Sequence, residues 1–158
     1  AVQEVTSGGF REVLDDQSLP AYDRVTRLLL CSGKIYYELL AAREEKKADH
    51  VAIVRIEQLY PFPQQLLRDV LMRYPLSADV FWVQEEPRNM GPWRFMAESI
   101  QPMLETPKRN LRYVGRQEMA SPAPGSMRRH TQEQKEILED AFAPAPAVRT
   151  RTRVRRVR

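Results

Sequence analysis

The stretch VFWVQEEPRNMG, residues 80–91, decides how the rest of the chain reads. Val80-Phe81-Trp82-Val83 has the length and the β-branched and aromatic make-up of a buried strand. It runs directly into Gln84-Glu85-Glu86-Pro87, and a new periodic segment starts near Gly91. In an open α/β sheet, ligands and partners meet the protein at the carboxyl ends of strands. An amide and two carboxylates at such an end therefore need a role.

Outward from this stretch the same rhythm repeats. Val25 to Cys31 reads as a strand, Ser32-Gly33 as a turn, and Lys34 to Lys46 as a helix with Ile35, Leu39 and Ala42 on one face. Val51 to Ile56 reads as a second strand. Pro63 opens a helical pattern of Leu66, Leu67, Val70, Leu71 and Tyr74 that Pro75 ends. Trp93, Met96, Ala97, Ile100 and Leu104 form a third helical face, Leu111 to Val114 a fourth strand, and Met127 to Phe142 a last helix. Strands alternating with helices predict an α/β fold, a mostly parallel sheet with helices on both faces. Right-handed crossovers then collect Ser32-Gly33-Lys34, Glu57-Gln58, Gln84-Glu85-Glu86 and Gly115-Arg116 on one edge.

Residues 1–23 read as an extended lead-in or linker, and 24–142 as the α/β domain. Residues 143–158, Pro/Ala-rich and then Arg-rich, read as a disordered tail. The absence of an initiator Met suggests a segment of a longer chain. The net charge of +4 is a property of the tail. Six of the 25 basic residues are arginines in RTRTRVRRVR, residues 149–158, which leaves 19 basic against 21 acidic residues in the body. A nucleic-acid reading of the whole domain thereby loses its support. The tail alone keeps one alternative open: a free-standing interaction module whose arginines hold RNA or DNA. No apolar run reaches the roughly 20 residues of a membrane helix, and no secretory signal opens the chain. A single cysteine, Cys31, excludes an internal disulfide and fits a reducing cytoplasm.

The candidate chemistry is sparse. Ser32-Gly33-Lys34 places a lysine at a helix N-terminus, where backbone N–H groups favour an anion, but it lacks the first glycine and the Ser/Thr of a phosphate loop. Glu57, Glu85 and Glu86 lack a nucleophile, a histidine or a metal cluster nearby in sequence, so ion pairing is the expected role. His50 and His130 have no metal spacing and are expected to be solvated or packed. Trp82 and Trp93 are expected in the core. No catalytic residue and no metal ligand is assigned, and no cofactor motif is present.

CSGKIYYELL (31–40), VAIVRIEQLYPFP (51–63), FWVQEEPRNMGPW (81–93) and RYVGRQEMASPAPGSMRRH (112–130) together resemble the C-terminal domain of the thiamine-dependent decarboxylase component of 2-oxoglutarate dehydrogenase. The resemblance runs from about Phe10 to Phe142. It implies a transketolase C-terminal-domain-like fold. It further implies an intact enzyme that decarboxylates 2-oxoglutarate and passes succinyl to the lipoyl arm of the succinyltransferase component. Thiamine diphosphate and Mg would be held by preceding domains, with no cofactor on this chain. The domain itself would support a homodimer and pack against the thiamine-binding domain before it. The resemblance also implies a cleft for an AMP or acetyl-CoA effector, at positions that match here as Ser32, Lys34, Gln84 and Arg116. APAPAVRTRTRVRRVR extends past the usual family end.

Overall fold

The computed structural model of the chain describes residues 9–104, 109–122 and 125–144. The Arg-rich tail, residues 1–8 of the lead-in and Pro124 of the expected loop lie outside the described residues. Five strands form one sheet: β1 (Val13–Leu14), β2 (Arg27–Cys31), β3 (Val51–Ile56), β4 (Asp79–Pro87) and β5 (Leu111–Arg116), in the order β1-β3-β2-β4-β5. The four long strands are parallel, and β1 runs antiparallel to β3. The described residues also form four α-helices: α1 (Ile35–Lys46), α2 (Gln64–Leu71), α3 (Trp93–Ile100) and α4 (Met127–Phe142).

The strand period of two divides the core cleanly. Leu28, Leu30, Ala52, Val54, Val80 and Trp82 project to one face, where Leu67, Val70 and Leu71 of α2 and Met96 and Ile100 of α3 meet them. Leu29, Cys31, Ile53, Phe81, Val83 and Val114 project to the other, under Ile35 and Leu39 of α1 and Ile137 and Ala141 of α4. All five residues of β2 are buried because the strand is central and covered on both sides. The expected α/β architecture with helices on both faces is therefore the observed one.

Local chemistry sets several boundaries. α1 ends where Lys47 adopts φ 51°, with Ala48 N–H reaching back to Arg43 O at 3.1 Å. Ser126 caps α4 by accepting from Arg129 N at 3.3 Å. The α2 pattern stops as a helix at Leu71, yet Tyr74 beyond it remains buried, with its hydroxyl bonded to Asp15. β4 runs four residues further than its apolar run, to Pro87. Its pairing with β5 is irregular there: four steps from Val83 to Pro87 oppose two from Val114 to Arg116.

The described part of the segment read as a lead-in, residues 9–23, is integral to the fold. Val13 and Leu14 pair with Ile56 and Arg55, and Glu12 O accepts from the N–H groups of Glu57 and Gln58 at 2.8 and 3.2 Å. Asp16 lies buried against Arg43 of α1 and accepts from Ile53 N at 2.9 Å. Ser18 Oγ completes the cluster, donating to Asp16 at 2.7 Å and accepting from Arg43 at 2.5 Å.

Candidate functional site at the strand carboxyl edge

The parallel topology carries the loops after β2, β3, β4 and β5 to one edge. Gly33, at φ +71°, makes the turn from β2 into α1, and Lys34 is the last residue before the helix. Ser32 is half-buried in the same turn. The Lys34 ammonium donates to Glu85 at 2.6 Å and to Glu38, one helical turn on, at 2.9 Å. The hydrogen bond to Glu85 and then that to Glu38 raise the Lys34 pKa. Partial burial alone would raise the pKa of Glu38, but the hydrogen bonds from Lys34 and from Gln134 of α4, the latter at 2.8 Å, hold it below its ordinary value.

Arg116, at the end of β5, is buried toward the α1/α4 side. Its Nε stands 3.1 Å from Glu133, and Glu133 also pairs with Arg129 at 2.6 Å. Its Nη2 is 2.9 Å from His130 Nδ1. A guanidinium can only donate, so Nδ1 is the acceptor in this contact. The cleft beside these groups encloses about 310 Å³ and is lined by Glu118, Glu133, Glu136 and Asp140 as well as Arg116 and Arg129.

Gln84 faces the opposite side of the sheet. It is only 3 % exposed, and both ends of its amide are used inside the domain. Trp82 Nε1 donates to its Oε1 at 2.9 Å, and its Nε2 donates to the carbonyls of Met90 at 2.9 Å and Glu86 at 3.2 Å. Gln84 therefore ties the strand end to the 87–91 turn. Tyr113 Oη ties the same region from β5, donating within reach of Glu86 O and Arg116 O at 2.9 Å each, and burial pushes its pKa up to about 12. Gly115 is needed here because a Cβ would collide with Tyr113 Oη and stand 2.7 Å from Gln84 O.

Of the four residues singled out for an effector, Lys34 and Arg116 thus share the α1/α4 side with Ser32 between β2 and α1, while Gln84 turns away from them. The three glutamates divide similarly. Glu85 pairs with Lys34 and Glu57 with Arg55 at 3.0 Å, the ion-pairing role expected of them, while Glu86 is exposed with its side chain packed on Gly91. His130 is half-buried and bonded to Arg116 rather than merely solvated. Glu38, Glu133 and Gln134 escaped the sequence reading. The signal available for the last two was positional: 130, 133, 134, 137 and 141 fall on one stripe of α4, continuous with the buried Ile137 and Ala141. Among the described residues no group of three or more His, Cys, Asp or Glu is placed to hold a metal ion. No described helix is long and apolar enough to cross a membrane.

Comparison with known proteins agrees with this architecture. A family model described as 2-oxoglutarate dehydrogenase C-terminal matches residues 1–142. A "Multifunctional 2-oxoglutarate metabolism enzyme" of Mycobacterium sp. (strain KMS) is 43% identical over 147 residues, covering 90% of this chain and 12% of the relative. A "2-oxoglutarate dehydrogenase E1 component" of Cupriavidus necator is 39% identical over 142 residues, covering 90% and 15%. An "Oxoglutarate dehydrogenase" of Buchnera aphidicola is 42% identical over 143 residues, again covering 90% and 15%. The chain thus spans about an eighth to a seventh of the length of these curated relatives. From the match across 1–142, the chain belongs to the 2-oxoglutarate dehydrogenase C-terminal family.

Proposed function

We propose that this chain serves as the C-terminal, non-catalytic domain of a 2-oxoglutarate dehydrogenase, supporting its homodimer and packing against the thiamine-binding domain that precedes it. The whole enzyme would decarboxylate 2-oxoglutarate oxidatively in the tricarboxylic acid cycle, in the cytoplasm, and transfer succinyl to the lipoyl group of the succinyltransferase component. The carrying observation is the family match over residues 1–142 at a length that is 12–15% of the relatives' own. The carboxyl edge supports the same reading. Its charged groups are spent on each other, Lys34 on Glu85 and Glu38, and Arg116 on Glu133 and His130. No nucleophile and base stand together among them. The residues present do not fit magnesium diphosphate, since no described cluster of carboxylates or imidazoles can hold the metal. In this reading thiamine diphosphate and Mg would be held by the preceding domains.

The test compares the purified chain with the full-length protein that contains it. The chain alone is expected to show neither thiamine diphosphate binding nor turnover of 2-oxoglutarate. The full-length protein is expected to show both, and to lose its dimer when this region is deleted. Turnover by the chain alone refutes the assignment.

A second role, effector binding, is favoured by one feature: the Lys34 side chain is 65% exposed although doubly paired, so an incoming phosphate can reach it. AMP or acetyl-CoA would have to displace Glu38, Glu85 or Glu133 from their cationic partners. Calorimetry of each nucleotide against wild type and Lys34→Ala/Arg116→Ala decides it. The expected result is binding by the wild type alone, and absence of heat in every titration removes the role.

A further inference from the structure

Three aromatic rings at the carboxyl edge, on the α2/α3 side of the sheet, have no role in the ion-pair system above. Tyr60, in the loop after β3, is 84% exposed. Its ring centroid lies 6.4 Å from that of Phe95 on α3, itself 39% exposed. Phe62 stands edge-on to Phe95 at 6.2 Å and 89°. The rings hold one another in place and present their outer faces to solvent. Aromatic residues clustered in this way are the composition of interface cores rather than of solvated surface.

The path of the lead-in says what covers them. β1 is antiparallel to β3, so the chain enters at the carboxyl end of β3 and runs away from it. Glu12 O is bonded to the N–H groups of Glu57 and Gln58, only two residues before Tyr60. Phe10, two residues earlier again, is 71% exposed at the same edge. In a protein of its relatives' length, roughly six to eight times that of this chain, whatever precedes this domain is tethered beside the aromatic cluster at high effective concentration.

We infer that Tyr60, Phe62 and Phe95 form the docking surface for the preceding part of the full-length protein. The occupant is an apolar, weakly charged face that accepts aromatic rings. The inference rests on the reading of this chain as a C-terminal domain and names the surface by which it is held.

Hydroxyl-radical footprinting with mass spectrometry tests it, on this chain alone and on the full-length protein, over a range of concentrations. Tyr37, Met72 and Met127, which are exposed elsewhere, serve as references. Expected is oxidation of Tyr60, Phe62 and Phe95 in the isolated chain and about fivefold or greater protection in the full-length protein, as for side chains entering an interface core, with the references unchanged. Equal labelling in both proteins overturns the inference. Protection that appears in the isolated chain as its concentration rises also overturns it, because a second copy then covers the rings. Failure of the full-length protein to turn over 2-oxoglutarate would refute the functional assignment while leaving the footprint result standing, so the two are separable.

Discussion

Replacing Asp16 by alanine should unfold this domain more readily than any surface change, for reasons that can be followed atom by atom. Asp16 and Arg43 are a buried pair, with side chains 4% and 8% exposed. The Asp16 carboxylate also accepts from Ile53 N at 2.9 Å, Ser18 N at 3.1 Å and Ser18 Oγ at 2.7 Å. Asp16→Ala leaves the Arg43 guanidinium buried without its carboxylate and the Ile53 N–H without an acceptor. Breaking one side of a buried pair costs about 3–5 kcal/mol. The whole domain is expected to be stable by about 5–15 kcal/mol, so the loss is a large share of the total. It corresponds to a fall of about 6–20 °C in Tm for a chain of this size. Urea unfolding followed by the fluorescence of the fully buried Trp82 reads the change as a lower midpoint at constant slope. The companion experiment is Asp16→Ala with Arg43→Met. Removing both charges should cost clearly less than the two single losses added together, because the stranded charge is gone. A single-variant loss below about 1 kcal/mol would refute the reasoning, since a surface pair costs no more than that. Strict additivity of the two singles would refute it equally.

Gly115→Ala should destabilise by about 1–3 kcal/mol, because its Cβ would press on Tyr113 Oη and on the Gln84 carbonyl, and calorimetric unfolding measures it. Gln84→Ala strands the Trp82 indole N–H and the Met90 carbonyl, at about 1–3 kcal/mol for each buried group left unpaired, and shifts the native emission of Trp82. The Cys31 thiol is pushed from its ordinary value near 9 up to about 12 by burial. The folded state therefore favours the neutral thiol. Its contribution is whole below pH 9 and is lost as pH rises toward 12, by up to about 4 kcal/mol at roughly 1.4 kcal/mol per pH unit. Unfolding free energy measured from pH 8 to 11 should fall less steeply in Cys31→Ala than in the wild type, and native Cys31 should resist alkylation at pH 8 until urea is added.

The fold was readable because strand and helix periods are properties of consecutive residues. Leu28 to Cys31 and Val80 to Val83 announce burial on both faces, and Ile35, Leu39 and Ala42 announce a single helical stripe. The edge strand was not readable: Val13 and Leu14 are two residues long, and only their pairing with Ile56 and Arg55 makes them a strand. Likewise the partner of Asp16 is 27 positions away in sequence, and nothing local points to it. At the carboxyl edge the residue types were legible and their directions were not. The resemblance groups Gln84 with Lys34 and Arg116, but its bonds to the Met90 and Glu86 carbonyls depend on the irregularity of β4, which has no signature in the sequence. Arg116 could be read as a cation at a strand end, whereas Glu133 and His130 reach it only once α4 packs across β5.

The irregular pairing of β4 with β5 has a meaning for how this edge can diverge. Between Val83/Val114 and Pro87/Arg116, β4 carries a surplus of two residues, one whole repeat of the pleat. A surplus of two returns the chain to the face it left, so the arch Gln84-Glu85-Glu86 can gain or lose length in pairs while Trp82 and Val83 keep their sides. An insertion of one residue would instead turn the end of β4 and the 88–91 turn over to the wrong face. Drift in this arch is thus restricted by parity more than by identity, and related chains should differ there in even steps.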